Sequence, residues 1–203
     1  MNIPVLWDGV LFSCAPVVEL PRVELQCPLA FAQQDTRWAA DKMGGTQQTV
    51  GGMGCAMVAA CMVYSQHDPT STPKTFNEAL NVREGYNIIY GTEAHLAWDR
   101  LPAIFPSLRW LGRKDWSRLL DANELAAVLA LIDAAPLILW VDFYPLKSGM
   151  QSHFVLAVGH DATDIEIIDP WFGVRGGLLA RYARGRSDTL NRAIWGYRRL
   201  EAK

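Results

Sequence analysis

A glycine-rich turn that runs directly into an apolar, small-residue segment constrains the fold of this chain most. The string T-V-G-G-M-G-C-A-M-V-A-A-C-M-V-Y places three glycines just before Cys55, and Cys55–Tyr64 carries no charge. Because the segment is rich in Ala and Met and has no polar face, we expect a buried helix that begins at Cys55. The unpaired N–H groups and the dipole at such an N-terminus favour thiolate over thiol. Cys55 is therefore a candidate nucleophile.

The bulk composition excludes several classes of function. A chain of 203 residues, half of them hydrophobic, fits one globular domain with its own core. A formal net charge of −2 predicts no nucleic-acid partner and no attraction to an anionic membrane. The longest apolar runs are far below a membrane span. The N-terminus has no basic residue before Arg22, and Asp8 interrupts its apolar stretch, which argues against a secretory signal peptide.

Cysteine and arginine positions give two further expectations. The four cysteines, at 14, 27, 55 and 61, include no C-x-x-C and no metal-type spacing with histidine, so we expect reduced thiols and no metal. Seven arginines crowd the last thirty residues, at 175, 181, 184, 186, 192, 198 and 199. We interpret them as a solvated face, the alternative being a basic groove for an acidic polymer.

The first thirty residues differ in character from the rest. Residues 1–30 alternate short apolar runs with prolines at 4, 16, 21 and 28, a pattern typical of extended arms or edge strands. We therefore predict an N-terminal extension or arm over 1–30 and one main domain over 31–203. Within that domain, the glycines between positions 44 and 54 indicate a flexible loop ahead of the Cys55 helix.

Helix signals dominate the first half of the main domain, and strand signals dominate the second. Thr72 and Pro73 open a helix through about Asn81, a further helix over 93–101 ends at Pro102, and Asp121 with Glu124 forms a capping box for a third, through about Asp133. After Pro136 we expect strands over 137–143, 153–159, 165–168 and 195–200. Helices followed by an antiparallel sheet predict an α+β fold.

Three distant segments supply the residue types that thiol catalysis needs. His153 begins an apolar strand, and Asp169 ends the next one, beside His153 if the two strands pair as a hairpin. A carboxylate there would orient the imidazole and stabilise imidazolium while Cys55 attacks. Gln33, upstream of the cysteine, has a side-chain amide that can donate to an oxyanion, and the backbone N–H of Cys55 is the natural second donor.

Four motifs in order carry a family resemblance. They are Q-x-D-x-R-W from Gln33, T-V-G-x-x-G-C-A-M from Thr49, H-F-V-L-A-V-G-H-D from His153, and I-D-P-W-x-G around Asp169. Over roughly residues 30–200 the chain resembles the bacteriocin-processing-like branch of the papain-like cysteine peptidases. The resemblance implies a papain-like fold, a Cys55–His153–Asp169 triad and an oxyanion-hole glutamine at Gln33, with Gln34 as an adjacent rival.

The resemblance also implies a reaction and suggests substrates. We expect a cysteine peptidase or amidase without metal or cofactor, acting on peptidoglycan peptides as a phage or bacterial wall-degrading protein. One alternative is a structural component of a phage tail or similar particle that keeps the fold and docks through residues 1–30. The other is a leader-peptide protease acting in trans.

For several individual residues, an ordinary structural role is the alternative to a functional one. Trp38, Gly54 and Trp171 are the expected substrate-binding residues, although core packing would equally explain the two tryptophans. Asp169 precedes a proline and would also suit a simple turn. Other candidates receive lesser roles: Cys61 as core, His160 as a rival base, Asp35 as a local cap, His67 and His95 as bystanders, and Trp98, Trp110, Trp116, Trp140 and Trp195 as core or partly exposed filler.

Overall fold

A computed structural model describes residues 28–183 and 188–203. The arm predicted for 1–30 lies outside the described residues except for its last three positions. Cys14, Cys27, Arg184 and Arg186 lie outside them as well.

The described chain begins with helices and ends with strands. The helices are Val50–Met53 (α1), Cys55–Tyr64 (α2), Pro73–Val82 (α3), Leu101–Ile104 (α4), Ala122–Ala134 (α5), Leu178–Tyr182 (α6) and Leu190–Ala193 (α7). The strands are Tyr86–Ile89 (β1), Glu93–Leu96 (β2), Leu108–Asp115 (β3), Leu137–Asp142 (β4), Ser152–His160 (β5), Ile165–Asp169 (β6), Val174–Gly177 (β7) and Ile194–Ala202 (β8). None of the helices within the described ranges is long and apolar enough to cross a lipid bilayer.

Six of the strands form one antiparallel sheet in the order β3-β8-β4-β5-β6-β7. The last strand, β8, returns to lie between β3 and β4, so the end of the domain pairs with strands from its middle. Strands β1 and β2 form a separate hairpin. The mixture of helices with an antiparallel sheet confirms the predicted α+β class.

The sheet separates two apolar cores. Ile138 and Leu156 face the core that contains α2, whereas Leu139 and Val155 face the core that contains α5. This alternation follows the two-residue period of strands whose two faces are both covered. Helix α2 packs against β5 and β8. The predicted nucleophile helix therefore lies directly on the strands that carry the later motifs.

The helix predicted to begin at Cys55 is confirmed, and a glycine sets its start. Gly54 is the last residue of the turn between α1 and α2, and a Cβ at this position would overlap the backbone of Val50. The preceding glycines do not form the flexible loop that we predicted. The Thr49 hydroxyl accepts a hydrogen bond from the Gly52 N–H, and this cap starts α1.

The helix predicted over 93–101 is wrong over its first part, and within it only Trp98–Arg100 forms a short 3₁₀ helix, which leads into α4. Glu93–Leu96 is strand β2, which turns back from β1 through Tyr90 and Gly91, both with positive φ. This turn lets the two strands pair, and their pairing overrides the local helix signal. Pro102 lies in the first turn of α4, where a missing N–H costs nothing, and so it begins a helix instead of ending one.

The other predicted elements are confirmed with small shifts of their ends. Thr72 and Asp121 each cap a helix through the expected side-chain bond to the third helical residue. All four predicted strands are present as β4, β5, β6 and β8. Strands β3 and β7 were not predicted.

Candidate active site

Cys55 occupies the first position of α2, where helix geometry leaves N–H groups free. The side chain is half-buried, and Gly54 before it provides no side-chain cap. The first N–H groups of a helix have no intrahelical acceptor, so they and the helix dipole can stabilise negative charge. His153 and the backbone N–H groups of Phe154 and Ala56 act on the thiol and lower its pKa. The local environment of this sulfur therefore favours an anion.

His153 connects the sulfur to an acid. It lies near the start of β5 with 3% of its surface exposed. Its Nε2 is 3.0 Å from Oδ1 of Asp169, which leaves Nδ1 as the ring nitrogen available to Cys55. The imidazole packs against the rings of Phe143 and Tyr182, at centroid distances of 4.8 and 5.9 Å. The ring is thus fixed by packing as well as by hydrogen bonds.

Asp169 is fully buried and receives several hydrogen bonds. Strands β5 and β6 pair as the hairpin that we predicted, with Leu156 opposite Ile168, and Asp169 is the last residue of β6. Its Oδ1 accepts the Trp171 N–H at 2.9 Å, and its Oδ2 accepts the Tyr182 hydroxyl at 2.6 Å. Burial alone would raise the pKa of Asp169, but His153, Tyr182 and the Trp171 N–H outweigh it and lower the pKa. The carboxylate is therefore held ionised.

The pKa values of the cysteine and histidine shift in opposite directions. Burial opposes both charges, yet the hydrogen bond and charge of His153 lower the pKa of Cys55 below that of an ordinary thiol. In turn, Asp169 and Cys55 overcome burial and raise the pKa of His153 to about 9. The two shifts together favour a thiolate paired with an imidazolium. Burial has the opposite result at Cys61, whose pKa it raises.

Gln33 lies between the two halves of the site. It is 1% exposed, and its backbone N–H donates to the carbonyl of Pro170 at 2.6 Å. Its Nε2 donates to the carbonyl of Gly51, one helical turn before Cys55, at 2.9 Å. Gly173 allows this approach, because a Cβ there would collide with the backbone next to Gln33. The bond to Gly51 uses one of the two N–H groups of the Gln33 amide. The role predicted for the other N–H, as an oxyanion donor, stays a prediction.

The rival glutamine differs in exposure. The Gln34 side chain also donates to the Gly51 carbonyl, at 2.5 Å, but Gln34 is exposed. Because both side chains donate to the same carbonyl, this contact does not show which glutamine is the better candidate for the oxyanion donor. Burial and the link to the Pro170 turn favour Gln33.

The predicted substrate-binding residues occupy three different settings. Trp38 is 2% exposed and donates its indole N–H to the Ala32 carbonyl at 2.8 Å, which suits support of the Gln33 loop better than contact with substrate. Gly54 is buried at the helix turn. Trp171 is partly exposed and packs on Phe143 at a centroid distance of 5.0 Å, next to the histidine. Its predicted role as a wall of the site is compatible with this position.

The other three histidines contact groups away from Cys55. The rival base His160 is at the other end of β5, with Nε2 3.1 Å from Asp133. His67 lies 3.2 Å from the carbonyl of Lys203, and His95 pairs with Glu93 at 3.0 Å. The structure brings His153, and not His160, to the cysteine.

A cleft of about 710 Å³ adjoins Cys55. Its walls include aromatic residues that the sequence analysis interpreted as core or partly exposed filler, namely Trp98, Trp110 and Trp140 together with Phe154. These tryptophans are indeed partly exposed, and Trp98 and Trp110 pack against the core, but their place in the cleft was not predicted. They come from separate elements that only the sheet order brings together, since Trp140 on β4 pairs with Phe154 on β5 and Trp110 is on β3, two strands away. No local pattern in the sequence marks them.

Most of the late arginines within the described ranges form surface ion pairs. Arg175, Arg192 and Arg199 each pair with an acidic side chain, at 3.2–3.3 Å. Two arginines are exceptions to the solvated-face interpretation. Arg181 lies 3.7 Å from Oδ2 of the buried Asp169, and Arg198 is 6% exposed and lines the cleft. Over residues 28–183 and 188–203, no cluster of His, Cys, Asp and Glu is arranged to hold a metal ion.

Comparisons with protein-family models, with curated proteins and with solved structures returned no significant match. Function is therefore inferred from the geometry and chemistry of the site.

The lowered thiol pKa predicts selective alkylation of Cys55. A free cysteine is only about 1% thiolate at pH 6.5, so iodoacetamide should modify Cys55 at least about tenfold faster than Cys61 at that pH. His153→Ala should raise the pH at which Cys55 reacts, because it removes the stabilising charge. Peptide mass mapping of timed reactions measures both effects.

The matched control is His160→Ala, which removes the other histidine of the same strand. It should leave the pH profile of Cys55 unchanged. Equal, slow labelling of Cys55 and Cys61 at pH 6.5 would contradict the assigned ion pair.

Proposed function

We propose that this protein is a cysteine peptidase or amidase of the papain-like kind. Cys55 is the nucleophile, His153 the general base and acid, and Asp169 the residue that orients His153. The observation that carries the proposal is one connected chain of contacts. It runs from a fully buried carboxylate, through a histidine 3.0 Å away, to a thiol at a helix N-terminus. A nucleophile, a base and an orienting acid in that order are what acyl transfer requires.

The acylation step begins from the thiolate–imidazolium pair. The sulfur of Cys55 attacks the carbonyl carbon of a peptide or amide, and the carbonyl π electrons move to oxygen. The C–N bond then breaks as His153 gives its proton to the leaving nitrogen. An amine departs, and the acyl group remains on Cys55 as a thioester.

Deacylation reverses the roles of the same groups. Neutral His153 takes a proton from water as the water oxygen attacks the thioester carbon. The C–S bond breaks, the carboxylic acid product leaves, and the thiolate–imidazolium pair is restored. Asp169 stays ionised throughout, since its hydrogen bonds lower its pKa. It stabilises the charged ring and does not itself transfer a proton.

Charge on the carbonyl oxygen needs donors during both steps. The backbone N–H of Cys55 at the uncapped start of α2 is one donor, and the Gln33 amide is the second. Fixed donors act strongly here because they need no reorganisation when the charge develops.

The arrangement of elements supports the papain-like part of the proposal. A helix that carries the nucleophile packs on an antiparallel sheet, and adjacent strands of that sheet carry the histidine and the acid. This is the arrangement that the motif resemblance implies for its family.

The substrate class follows from the cleft together with the resemblance. A volume of about 710 Å³ lies within the range of sites that bind small ligands, and its aromatic walls suit apolar parts of a peptide. We propose peptidoglycan peptides as the natural substrate. Leader-peptide cleavage and a purely structural role are the outcomes that the next experiment distinguishes from it.

Digestion of purified sacculi tests the proposed reaction. The wild-type protein should release new amino groups, and Cys55→Ala should release none. Asp169→Ala should lower kcat by about 10³–10⁴-fold, because the imidazole loses both its hydrogen-bond acceptor and its stabilising charge. His160→Ala, the matched control, should match the wild type.

A parallel arm uses a synthetic peptide that contains a double-glycine site. Cleavage of that peptide without digestion of sacculi would show that the substrate is a leader peptide and not peptidoglycan. If the wild type and Cys55→Ala are equally inactive on both substrates, the hydrolase proposal is wrong. The structural role is then the alternative that the result favours.

Removal of the proposed oxyanion donor gives a separate prediction. Gln33→Ala should lower kcat by about 10²–10³-fold with little change in KM, since the lost hydrogen bond matters chiefly in the transition state. Gln34→Ala tests the rival and should remain close to wild type. Steady-state kinetics checks both variants at a temperature where circular dichroism shows each to be folded. The reverse ranking of the two variants would transfer the role to Gln34.

A further inference from the structure

The aromatic cleft beside Cys55 contains a buried positive charge. Arg198 on β8 lines the cleft, and only 7% of its side chain is exposed. All hydrogen bonds that its guanidinium makes within the described residues run through Nη1, to Asp115 and to the carbonyl of Tyr197. Its Nε is buried with no partner in the described part of the chain. A buried donor without an acceptor is costly and indicates a missing partner.

The carboxylate that pairs with Arg198 is shared with a second guanidinium group. Asp115 is shared, because Arg113, a second cleft residue, also lies 3.6 Å from it. One carboxylate therefore faces two guanidinium groups. Asp99 and Arg113 both line the cleft and are both exposed, so water screens the charges of both, whereas the charge of Arg198 is buried. Burial lowers the pKa of Arg198, and Asp115 offsets this only in part.

Aromatic rings surround the guanidinium and exclude water from it. Its carbon lies 5.3 Å from the ring centre of Phe154 and 5.9 Å from that of Trp140. Phe154 directly follows His153, and its backbone N–H helps to lower the pKa of Cys55. The charged group of Arg198 and the sulfur of Cys55 line the same cleft. In such a dry setting, a charge-assisted hydrogen bond is stronger than it would be in water.

We propose that Arg198 is the anchor of a carboxylate-binding subsite, and that the substrate of this protein carries a carboxylate that enters the aromatic cleft beside the cleaved bond. The planar guanidinium suits a carboxylate because it can donate two parallel hydrogen bonds. The carboxylate supplies the missing acceptor for the buried guanidinium, and the aromatic walls hold the apolar groups next to it. This inference rests on the proposed function, since it describes the substrate of the same site.

Three synthetic peptides test the inference in the full-length Cys55→Ala protein, where no turnover occurs. Acetyl-Ala-Phe-Glu-Ala-amide carries a side-chain carboxylate, acetyl-Ala-Phe-Gln-Ala with a free C-terminus carries a terminal one, and acetyl-Ala-Phe-Gln-Ala-amide carries none. Isothermal titration calorimetry should give at least about tenfold tighter binding for one or both carboxylate peptides than for the neutral peptide. Tighter binding of the first peptide would show that the bound carboxylate belongs to an internal acidic residue. Tighter binding of the second would show that it belongs to a chain end.

Two substitutions connect the preference to Arg198. Arg198→Gln should abolish it, whereas Arg113→Gln, which removes an exposed guanidinium of the same cleft, should leave most of it. Asp115→Asn keeps Arg198 and frees its Nη1 from competition, so it should tighten binding of the preferred peptide. This last variant keeps the inference testable if Arg198→Gln does not fold.

Equal affinities for the three peptides, or no binding of any of them, overturn the subsite. So does a carboxylate preference that survives in folded Arg198→Gln. Because binding is measured without the nucleophile, its result is independent of hydrolysis. Failure of the sacculus assay with a positive binding result would remove the proposed reaction and leave the subsite.

Discussion

The hydrogen bond of 3.0 Å between His153 and Asp169 is the interaction on which the rest of the site depends. It is formed away from solvent, where an unpaired carboxylate would be strongly destabilising, and so the surrounding structure must hold both partners in place. The β5–β6 hairpin positions them along the chain, and the Tyr182 hydroxyl and Trp171 N–H fix the carboxylate. The ionised acid then raises the pKa of His153, and His153 in turn lowers the pKa of Cys55.

The sheet supplies two different environments around this interaction. Its centre, at β4 and β5, is covered on both faces, which gives His153 and Asp169 a rigid and dry setting. Toward β3 and β8 the same sheet opens into the aromatic cleft that contains Arg198. The proposed reaction centre and the proposed recognition site thus lie on neighbouring parts of one sheet. Their separation allows the substrate to be tested independently of the reaction.

The sequence predicted the site better than it predicted the cleft. Cys55 at a helix start and His153 and Asp169 on a hairpin could be predicted because each depends on local signals, a glycine turn or an apolar strand. The error over 93–101 arose because the pairing of β1 with β2 overrode the local helix signal. The cleft could not be predicted, since β8 returns to pair with β3 and brings Arg198 to Asp115 across 83 residues. Residues that meet only through such non-local strand pairing leave no spacing to detect.

The proposed ion pair requires a protonated His153, and this protonation state can be measured directly. Nitrogen-15 NMR of the imidazole, assigned by comparison with His153→Ala, should show the ring doubly protonated at pH 7.5, with titration near its pKa of about 9. In Cys55→Ala the same resonance should titrate at lower pH, because the thiolate that stabilises the imidazolium is gone. A His153 ring that is neutral at pH 7.5, or one whose titration is unchanged in Cys55→Ala, would contradict the account.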